Sequence, residues 1–342
     1  MSSTSVHEPA TEWGRVLFRP RRFGHVNMYV GDLDESYAFY HDLLGLEFAF
    51  DEPGLDAKFL SNGNSHHDLA LMQSSARELV GRDGLVQKSS RIGAAPGLNH
   101  LAFEMPTEAS LVAGIRRGEE QGLKVHRYYD HLISRSVYLP DPDANELEIY
   151  SDSTPDWREL FESLGDQLLS ARWTPEADGP PSEEHNYVDV LDHRPVPGAP
   201  VQPLRTANAT IVVADLERSV NFYESVVGLT ELEADHGDGR WAILSGTLGL
   251  PDFLVLEARD GDRIGFHHFG LELPDAAEVD AAAARLAEAG IAVERTVDHA
   301  RKHSVVVLDP DGVPVELFAR PGGSESIAFA SVVDDANRSF LL

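Results

Sequence analysis

An internal repeat constrains the fold of this chain more than any other feature of its sequence. Three pairs of segments carry the repeat: 32–46 with 215–229, 99–106 with 267–274, and 141–148 with 309–316. The first pair is offset by 183 residues and the other two pairs by 168. Such self-similarity is typical of a duplicated structural unit. At about 150 residues per domain, a chain of 342 residues has room for two related halves.

Each half divides again into two units that read as a strand, a helix and three strands. In the first unit, hydrophobic periodicity predicts a strand over 24–30, a helix over 33–44, and strands near 46–51, 57–61 and 67–73. In the second unit it predicts a strand over 98–104, a helix over 107–121, and strands near 124–129, 134–139 and 146–150. Gly45 and Gly122 end the two helices. Units three and four repeat the pattern from residues 207 and 266.

We therefore predict an α+β fold in which four βαβββ modules pair into two curved-sheet domains. The predicted divisions are an N-terminal domain over 20–152, a helix and Pro-rich connector over 153–203, a C-terminal domain over 204–320, and a tail over 321–342. The connector begins with a helical stripe of apolar residues, which predicts packing: Trp157, Leu160, Phe161, Leu164 and Leu168. The glycine-containing stretch 74–97 separates the first two units and is either a lid over a site or an ordinary loop.

Composition excludes several classes of protein. Acidic residues number 57 against 28 basic ones, and the net charge of −29 repels nucleic acid and anionic membranes. No run of about 18 apolar residues occurs, so we expect no membrane-spanning helix. Residues 1–14 lack an apolar signal core, and we therefore expect a cytoplasmic protein. The chain has no cysteine, so a metal site would have to use histidine and carboxylate side chains.

Three residues on predicted strands have the types and positions of a metal site. His25 lies in the first strand of unit one, His100 in the first strand of unit two, and Glu148 in the last strand of unit two. If two units pair into one curved sheet, the repeat brings these strand positions together. Two imidazoles and one carboxylate can occupy one face of a metal ion and leave the other face open, as is typical of non-haem Fe(II) oxygen chemistry.

Two runs of sequence carry a family resemblance. Residues 131–148, which read HLISRSVYLPDPDANELE, contain a His, a Tyr after a short hydrophobic strand, Asp-Pro and a final Glu. Residues 66–71, HHDLAL, form a second His-containing strand. Both runs resemble segments of the type I extradiol ring-cleaving dioxygenases of the vicinal oxygen chelate superfamily. Two positions differ from that signature: Tyr129 replaces a smaller residue, and Ala144 replaces a turn Gly, a change that a different turn can absorb.

The resemblance implies a reaction and a role for each candidate residue. The implied metal ligands are His25, His100 and Glu148, and the implied catalytic residues are His67, His131 and Tyr138. The metal would be Fe(II), although Mn(II) accepts the same ligands. The substrates would be a catecholic small molecule and O2. His67 would be the acid–base residue, and the other two catalytic residues would bind and orient the substrate hydroxyls. A catechol must lose protons to chelate a metal, and imidazoles have the pKa range for that transfer.

The second half offers an internal comparison. By the two offsets, His25, His100, Glu148, His131 and Tyr138 correspond to Asn208, His268, Glu316, His299 and Val306. Aligning the strand that contains Leu-Ala-Leu places His67 against Asp252. The second half therefore keeps two of the three ligands, and we predict that it is a degenerate, catalytically silent partner. This differs from the familiar two-domain extradiol enzymes, whose metal lies in the C-terminal half.

Two other functions fit the same fold. One is another metal-dependent enzyme, of the glyoxalase or isomerase type, which adds a fourth ligand where this chain has Ala70. The other is a non-catalytic small-molecule-binding protein, although such proteins usually lack the full ligand set. The sequence does not identify the catechol, and it leaves open whether the chain forms a homo-oligomer. Four arginines could meet a substrate carboxylate: Arg77, Arg82, Arg91 and Arg127.

Overall fold

A computed structural model describes residues 16–165, 167–175, 179–189 and 192–342. Residues 1–14, on which the expectation of a cytoplasmic protein rests, lie outside the described residues. Among the helices that are described, none combines the length and the apolar character needed to cross a bilayer.

Strands dominate the first half. They are β1 (Arg22–Val30), β2 (Glu47–Glu52), β3 (Ala57–Ser61), β4 (Leu69–Gln73), β5 (Leu79–Val80), β6 (Val86–Lys88), β7 (Gly97–Glu104), β8 (Arg127–Asp130), β9 (Ser134–Pro140), β10 (Glu146–Asp152) and β11 (Ala171–Arg172). The helices are α1 (Leu33–Tyr37), α2 (Glu108–Glu120) and α3 (Trp157–Leu164). Every element predicted for the first two units is present, with its ends shifted by a few residues at most.

The second half repeats this order of elements. Its strands are β12 (Arg205–Val213), β13 (Thr230–Asp235), β14 (Trp241–Ser245), β15 (Phe253–Glu257), β16 (Gly265–Glu272), β17 (Arg295–His299), β18 (Lys302–Leu308) and β19 (Pro314–Ala319). Its helices are α4 (Leu216–Phe222) and α5 (Ala276–Glu288). Short 3-10 turns follow in the tail, at Ser324–Ser326, Phe329–Ser331 and Arg338–Phe340.

Each half forms one curved sheet. The strand order is β11-β8-β9-β10-β7-β1-β4-β3-β2 in the first sheet and β13-β14-β15-β12-β16-β19-β18-β17 in the second. The two modules of each half meet through an antiparallel pair, β1 with β7 and β12 with β16, and each central strand has a parallel partner on its outer side. The predicted α+β fold of four βαβββ modules in two curved-sheet domains is therefore confirmed. Equivalent positions of neighbouring modules meet at the centre of each sheet.

The helix predicted over 33–44 changes character half-way along. It is α-helical to Tyr37 and continues as wider π-helical turns over Ala38–Leu43. The second half repeats the change, because α4 is followed by π-helical turns over Tyr223–Val227. Apolar periodicity does not reveal such a segment, since one or two wide turns leave the same face of the helix buried.

Two reciprocal Tyr–Asp contacts join the halves. Tyr40 donates its hydroxyl hydrogen to Asp309 Oδ2 at 2.8 Å, and Tyr223 donates to Asp141 Oδ2 at 2.8 Å. Both tyrosines lie on π-helical segments and are fully buried. Asp141 belongs to the turn that leads into β10, the strand of Glu148. The turn before β10 is thus stabilised by the second half, and the turn before β19 is stabilised by the first half.

The turn at Ala144 keeps the conformation of its repeat. The φ angle of Ala144 is 67°, and that of Gly312, its counterpart, is 81°. Asp141 Oδ1 stabilises the turn by accepting from the backbone N of Asp143 at 2.9 Å and of Asn145 at 2.8 Å. The alanine is therefore not absorbed by a different turn. The chain instead tolerates a left-handed alanine, which costs about 1–2 kcal/mol relative to glycine.

The alignment of His67 with Asp252 is wrong by one residue. Val26 N, on β1, donates to Asp68 O at 3.2 Å. Ala209 N, the equivalent donor on β12, bonds to Asp252 O at 3.1 Å. Asp252 is therefore the counterpart of Asp68, and the counterpart of His67 is the preceding proline. The second half still has no histidine at the position of His67, the predicted acid–base residue, but the residue there is a proline rather than Asp252.

The Asp252→Asn variant is expected to gain stability over the parent as the pH rises. Asp252 Oδ2 accepts from Phe23 N at 2.8 Å, yet burial raises its pKa from 3.8 to about 7. An acid with a higher pKa in the folded chain binds more protons when folded, so its ionisation lowers stability between about pH 4 and pH 7. Asparagine can accept the same hydrogen bond without ionising. Thermal melts of the variant and the parent near pH 5 and pH 8 measure this gain in stability. A difference in Tm between the two proteins that does not change with pH would contradict the prediction.

Candidate metal centre

Three buried side chains from adjacent strands converge near the middle of the first sheet. His25 comes from β1, His100 from β7 and Glu148 from β10, and one potential ligand atom of each lies within 4.8 Å of the others. Glu148 Oε2 lies 2.9 Å from His25 Nε2 and 2.9 Å from His100 Nε2. The structure thus brings the three predicted ligands together.

The strand register explains this meeting. Asn27 on β1 lies opposite His100 on β7, and Glu148 on β10 lies opposite Ala102 on β7. Residues two apart on a strand point to the same face. His25 therefore shares a face with Asn27, and His100 shares one with Ala102. The ligand positions on three neighbouring strands face the same concave side of the sheet.

Burial and proximity set the charges of this group. Burial lowers the pKa of His25 to about 4, so its ring is neutral near pH 7. Burial alone would raise the pKa of Glu148, but the adjacent His100 and His25 imidazoles hold it well below its usual value. His100 Nε2 is buried as well, and its neighbour there is the same carboxylate oxygen, Glu148 Oε2, at 2.9 Å. Two imidazoles beside a buried carboxylate form a donor set that fits a divalent cation.

The position of a possible fourth ligand is apolar. Module symmetry relates β4 to β10, and Ala70 lies opposite Asn27 as Glu148 lies opposite Ala102. The methyl group of Ala70 cannot bind a metal. Within the described residues, the candidate metal-binding group therefore has three members. This leaves one side of the group free for small molecules.

A cavity of about 760 Å³ opens beside these ligands. Its walls combine aromatic and aliphatic side chains with a few polar groups, as is usual for small-molecule sites. The three predicted catalytic residues, His67, His131 and Tyr138, all line it together with His100 and Glu148. The structure therefore brings the predicted ligands and the predicted catalytic residues into one site.

His67 lies directly against one of the ligands. Its ring centroid is 3.9 Å from that of His25, and its Nε2 lies 3.2 Å from Asn27 Oδ1. An amide oxygen only accepts, so Nε2 carries the proton and Nδ1 holds the lone pair. Nδ1 is buried without a hydrogen-bond partner among the described residues. Burial lowers the pKa of His67 well below its usual value, so this neutral ring has a lone pair available to take a proton.

His131 and Tyr138 form a hydrogen-bonded pair beside the carboxylate. Tyr138 OH lies 3.0 Å from His131 Nε2, and His131 Nδ1 lies 2.7 Å from Ser170 Oγ. Burial raises the pKa of Tyr138 well above its usual value, so its hydroxyl remains a donor. Burial also lowers the pKa of His131 to about 4. Tyr138 lies opposite Glu148 in the β9–β10 pair, which places both neutral groups next to the ligand set.

Two further polar residues of the site were missed by sequence reasoning. Asn27 lies two residues after His25, and strand alternation alone could have placed it on the ligand face. His66 lines the cavity and forms an ion pair with Asp152 at 2.8 Å. Burial alone would lower the pKa of His66, but Asp152 raises it above its usual value. No sequence pattern connects His66 to Asp152, because the two residues are far apart in the chain.

The apolar stripe of α3 forms part of the cavity wall. Trp157 and Phe161 are buried against Phe50 and Ile133, as the prediction of packing requires. Phe161 and Ile133 also line the cavity. Helical spacing gave no sign of this second role, because packing and lining residues have the same period.

The arginines proposed to meet a substrate carboxylate lie in different surroundings. Arg127 lines the cavity, with its guanidinium carbon 4.7 Å from the centroid of the Tyr138 ring. Arg77 and Arg82 form ion pairs with aspartates, and Arg91 is exposed. Of the four, Arg127 is therefore the one that remains a candidate for substrate binding.

The stretch 74–97 folds over the site. It contains the β5–β6 hairpin, and Leu79 of this hairpin is buried. Gln87 and Lys88 from the same hairpin line the cavity. Of the two readings left open by the sequence, the geometry favours a lid over an ordinary loop.

In the second half, an ammonium group lies in the equivalent region. Lys302 is 1% exposed, and its Nζ lies 2.7 Å from Glu316 Oε1 and 2.6 Å from Phe340 O. His268 Nε2 is 3.6 Å from Glu316 Oε2, and the ring of His268 lies 4.6 Å from that of Phe340. Asn208 stands where the first half has His25. Protein groups thus occupy the region that corresponds to the candidate metal centre.

The Lys302→Met variant is expected to lose about 3–5 kcal/mol of unfolding free energy, because it leaves a buried carboxylate unpaired. Burial alone would raise the pKa of Glu316, but Lys302 and His268 lower it to about 2. Chemical denaturation measures the loss. Combining Lys302→Met with Glu316→Gln removes the unpaired charge and should recover much of it. A single variant as stable as the parent would contradict this account.

Comparison with known proteins agrees with the fold and the repeat. The model of the Glyoxalase/Bleomycin resistance protein/Dioxygenase superfamily matches residues 22–149 and 205–317, which together exceed half of the chain. The chain belongs to this superfamily. The two matched segments of this superfamily member coincide with the two curved sheets.

Relatives in the superfamily have several activities. The chain is 36% identical over 117 residues to the catechol-2,3-dioxygenase of Bacillus subtilis, covering 32% of this chain and 40% of that protein. It is 32% identical over 122 residues to a trivalent organoarsenical cleaving enzyme of Thermomonospora curvata. That match covers 34% of this chain and 79% of that enzyme. The match therefore spans less than half the length of the first relative.

A solved structure shows the same arrangement of superfamily modules. The 2,3-dioxygenase LapB of Pseudomonas sp. KL28 aligns with a TM-score of 0.61 at 15% identity, over 90% of this chain and 96% of that one. At this identity the likeness concerns the fold.

Proposed function

We propose that this chain is an extradiol dioxygenase, which cleaves a catecholic ring with O2 at a non-haem Fe(II) bound by His25, His100 and Glu148. The observation that carries the proposal is the three-ligand group with Ala70 at the fourth position, open to a cavity that also contains neutral acid–base side chains. Its similarity to a catechol-2,3-dioxygenase supports the same reaction class. Mn(II) is the alternative metal, because it accepts the same donors.

The open side of the ligand group suits two reactants. The three candidate ligands would hold a divalent ion from one side and would leave its other side accessible to a catechol and to dioxygen. A divalent iron bound there would act as the Lewis acid and redox centre for both reactants. The apolar walls, among them Phe59 and Phe161, exclude water and suit an aromatic ring.

The chain's own groups supply the proton transfers. His67 is neutral, with Nδ1 free to take a proton from a catechol hydroxyl and to return one later in the reaction. A positioned imidazole typically contributes 10²–10⁴-fold to a rate. Tyr138 donates a hydrogen bond to the substrate oxygen, and His131 orients the Tyr138 hydroxyl. Asn27 fixes the tautomer of His67 through Nε2.

The other functions have less support from the site. A glyoxalase or isomerase type of enzyme would need a fourth ligand where Ala70 lies. A binding protein without catalysis would not need the complete ligand set or the His67 and Tyr138 groups. Cleavage of a trivalent arsenical is disfavoured because a soft arsenic centre is best held by thiolates, and the chain has no cysteine.

Anaerobic reconstitution with Fe(II), followed by aerobic assay with a panel of catechols, tests the proposal. We expect oxygen uptake and a yellow ring-opened product from at least one catechol, with the Mn(II)-loaded protein as the parallel sample. Stoichiometric iron binding without oxygen uptake for any catechol would contradict it. Turnover of a hemithioacetal in place of catechol would indicate the glyoxalase type.

A further inference from the structure

A buried lysine lies in the wall of the cavity. Lys88 is the last residue of β6, lines the cavity and is 4% exposed. Its Nζ donates to Ser75 O at 2.6 Å and to Arg77 O at 3.2 Å. An ammonium group has three N–H donors, so these two carbonyl groups leave one donor for another partner.

The charge of Lys88 has no counterion among the described residues. The buried Lys302 and the partly buried Lys58 each form an ion pair with a carboxylate, whereas the partners of Lys88 are neutral carbonyl groups. Buried charges are usually paired, because taking an ion out of water is costly. An anion that binds beside Lys88 would be attracted strongly, since the local dielectric constant is low.

A second cation lines the same cavity. Lys88 Nζ lies 5.8 Å from the centroid of the Tyr29 ring. Arg127 also lines the cavity, and it acts on Tyr29: burial and the Glu146 carboxylate raise the pKa of this tyrosine to about 12, and the charge of Arg127 opposes the rise. Arg127 is itself paired loosely, with its Nη2 3.5 Å from Glu146 Oε1. Lys88, which has no such carboxylate partner among the described residues, is therefore the main positive charge of this part of the wall, and Arg127 is the second.

The carboxylates of the cavity do not cancel these charges. Glu148 belongs to the ligand group. Glu52 accepts from Leu169 N at 2.6 Å, on the connector side, and burial raises its pKa to about 7. A chain with a net charge of −29 repels anions in general. A cavity wall with two cations is a local exception that favours an anionic ligand.

We propose that the catechol bound by this chain carries an anionic substituent such as a carboxylate, which binds to Lys88 Nζ with Arg127 supplying a second positive charge. This inference rests on the proposed function and names its substrate class. Lys88 becomes a specificity-determining residue that the lid stretch 74–97 brings to the site. A neutral substituent of the same shape would leave the ammonium group uncompensated.

Binding measured under argon tests this inference on the metal-loaded protein. Calorimetric titrations compare 3,4-dihydroxybenzoate with 3,4-dihydroxybenzamide, and the same acid–amide pair lengthened by one methylene. We expect the parent to prefer the acid in at least one pair. Lys88→Met removes the charged hydrogen-bond donor for the substrate carboxylate. We therefore expect it to weaken binding of the acid by about tenfold or more and to leave binding of the amide nearly unchanged. Lys88→Arg should retain the preference.

The Lys124→Met variant is the matched control, because it removes the same charge from an exposed position. It should leave both affinities unchanged. Equal weakening of acid and amide in Lys88→Met would show that Lys88 only fastens the lid, and a parent without preference for either acid would also overturn the inference. Ring opening is measured in a separate assay. Preferential binding of the acids without ring opening would contradict the proposed function and leave this inference intact. Ring opening without a preference for either acid would contradict this inference and leave the proposed function intact.

Discussion

The His100→Ala variant is expected to lose its bound iron and to show ring opening only at the background rate. His100 supplies one of three converging donors, and its Nε2 lies 2.9 Å from Glu148 Oε2. With two donors left, a divalent ion loses both affinity and fixed geometry. Metal analysis after removal of free iron, together with oxygen uptake on a catechol, measures both effects. Full retention of stoichiometric metal would show that His100 is not a ligand.

The matched control is His268→Ala, which removes the residue at the same repeat position in the second half. We expect iron content and turnover close to those of the parent, because Lys302 already occupies the side of Glu316 that a metal would need. Loss of activity in this variant, with folding and bound iron intact, would show that the site lies in the second half or depends on it.

The His67→Phe variant is expected to keep its iron and still bind catechol, while ring opening slows by about 10²-fold or more, the range of a lost acid–base imidazole. Phenylalanine preserves the ring that packs 3.9 Å from His25 but removes both nitrogens. Single-turnover kinetics beside metal analysis separates the rate from the iron content. Loss of iron would make His67 a ligand and would move the enzyme toward the four-ligand isomerase class.

The Tyr138→Phe variant provides the comparison for His67→Phe. It removes one hydrogen bond, worth about 1–3 kcal/mol when a buried partner is left unsatisfied, so we expect a smaller loss of rate than in His67→Phe. In the parent chain, the hydrogen bond joins Tyr138 OH and His131 Nε2 at 3.0 Å. Turnover at the parent rate in both variants would mean that His67 and Tyr138 are ordinary strand positions.

The repeat explains why much of the site could be predicted from sequence. Once two βαβββ units pair through their first strands, His25 and His100 must approach each other, and Glu148 follows from the parallel strand beside them. Strand alternation then places Tyr138 near the same face, whereas His67 lies just before β4, the strand in which the sequence pattern places it. These inferences use only the hydrophobic periodicity of the strands and the symmetry of the repeat, and both can be read from a single sequence.

Other parts of the site depend on contacts that no local pattern encodes. Lys88 enters the cavity because the β5–β6 hairpin folds back over the sheet. Lys302 reaches Glu316 from β18, whereas the equivalent residue of β9 in the first half is Ser134. The alignment of Asp252 failed by one residue because an apolar strand matches itself almost equally well in adjacent registers. Hydrogen bonding to the neighbouring strand resolved that ambiguity.

The reciprocal Tyr–Asp contacts make the two halves a single working unit. Tyr223 donates a hydrogen bond to the turn before β10, so the position of Glu148 depends on a phenol contributed by the second half. Excision of the first half would remove this hydrogen bond and expose the turn to water, leaving Asn145 Nδ2 as the remaining side-chain donor to Asp141 Oδ2. Each half thus depends on a tyrosine of the other, so we expect the two halves to unfold as one cooperative unit rather than as two independent domains.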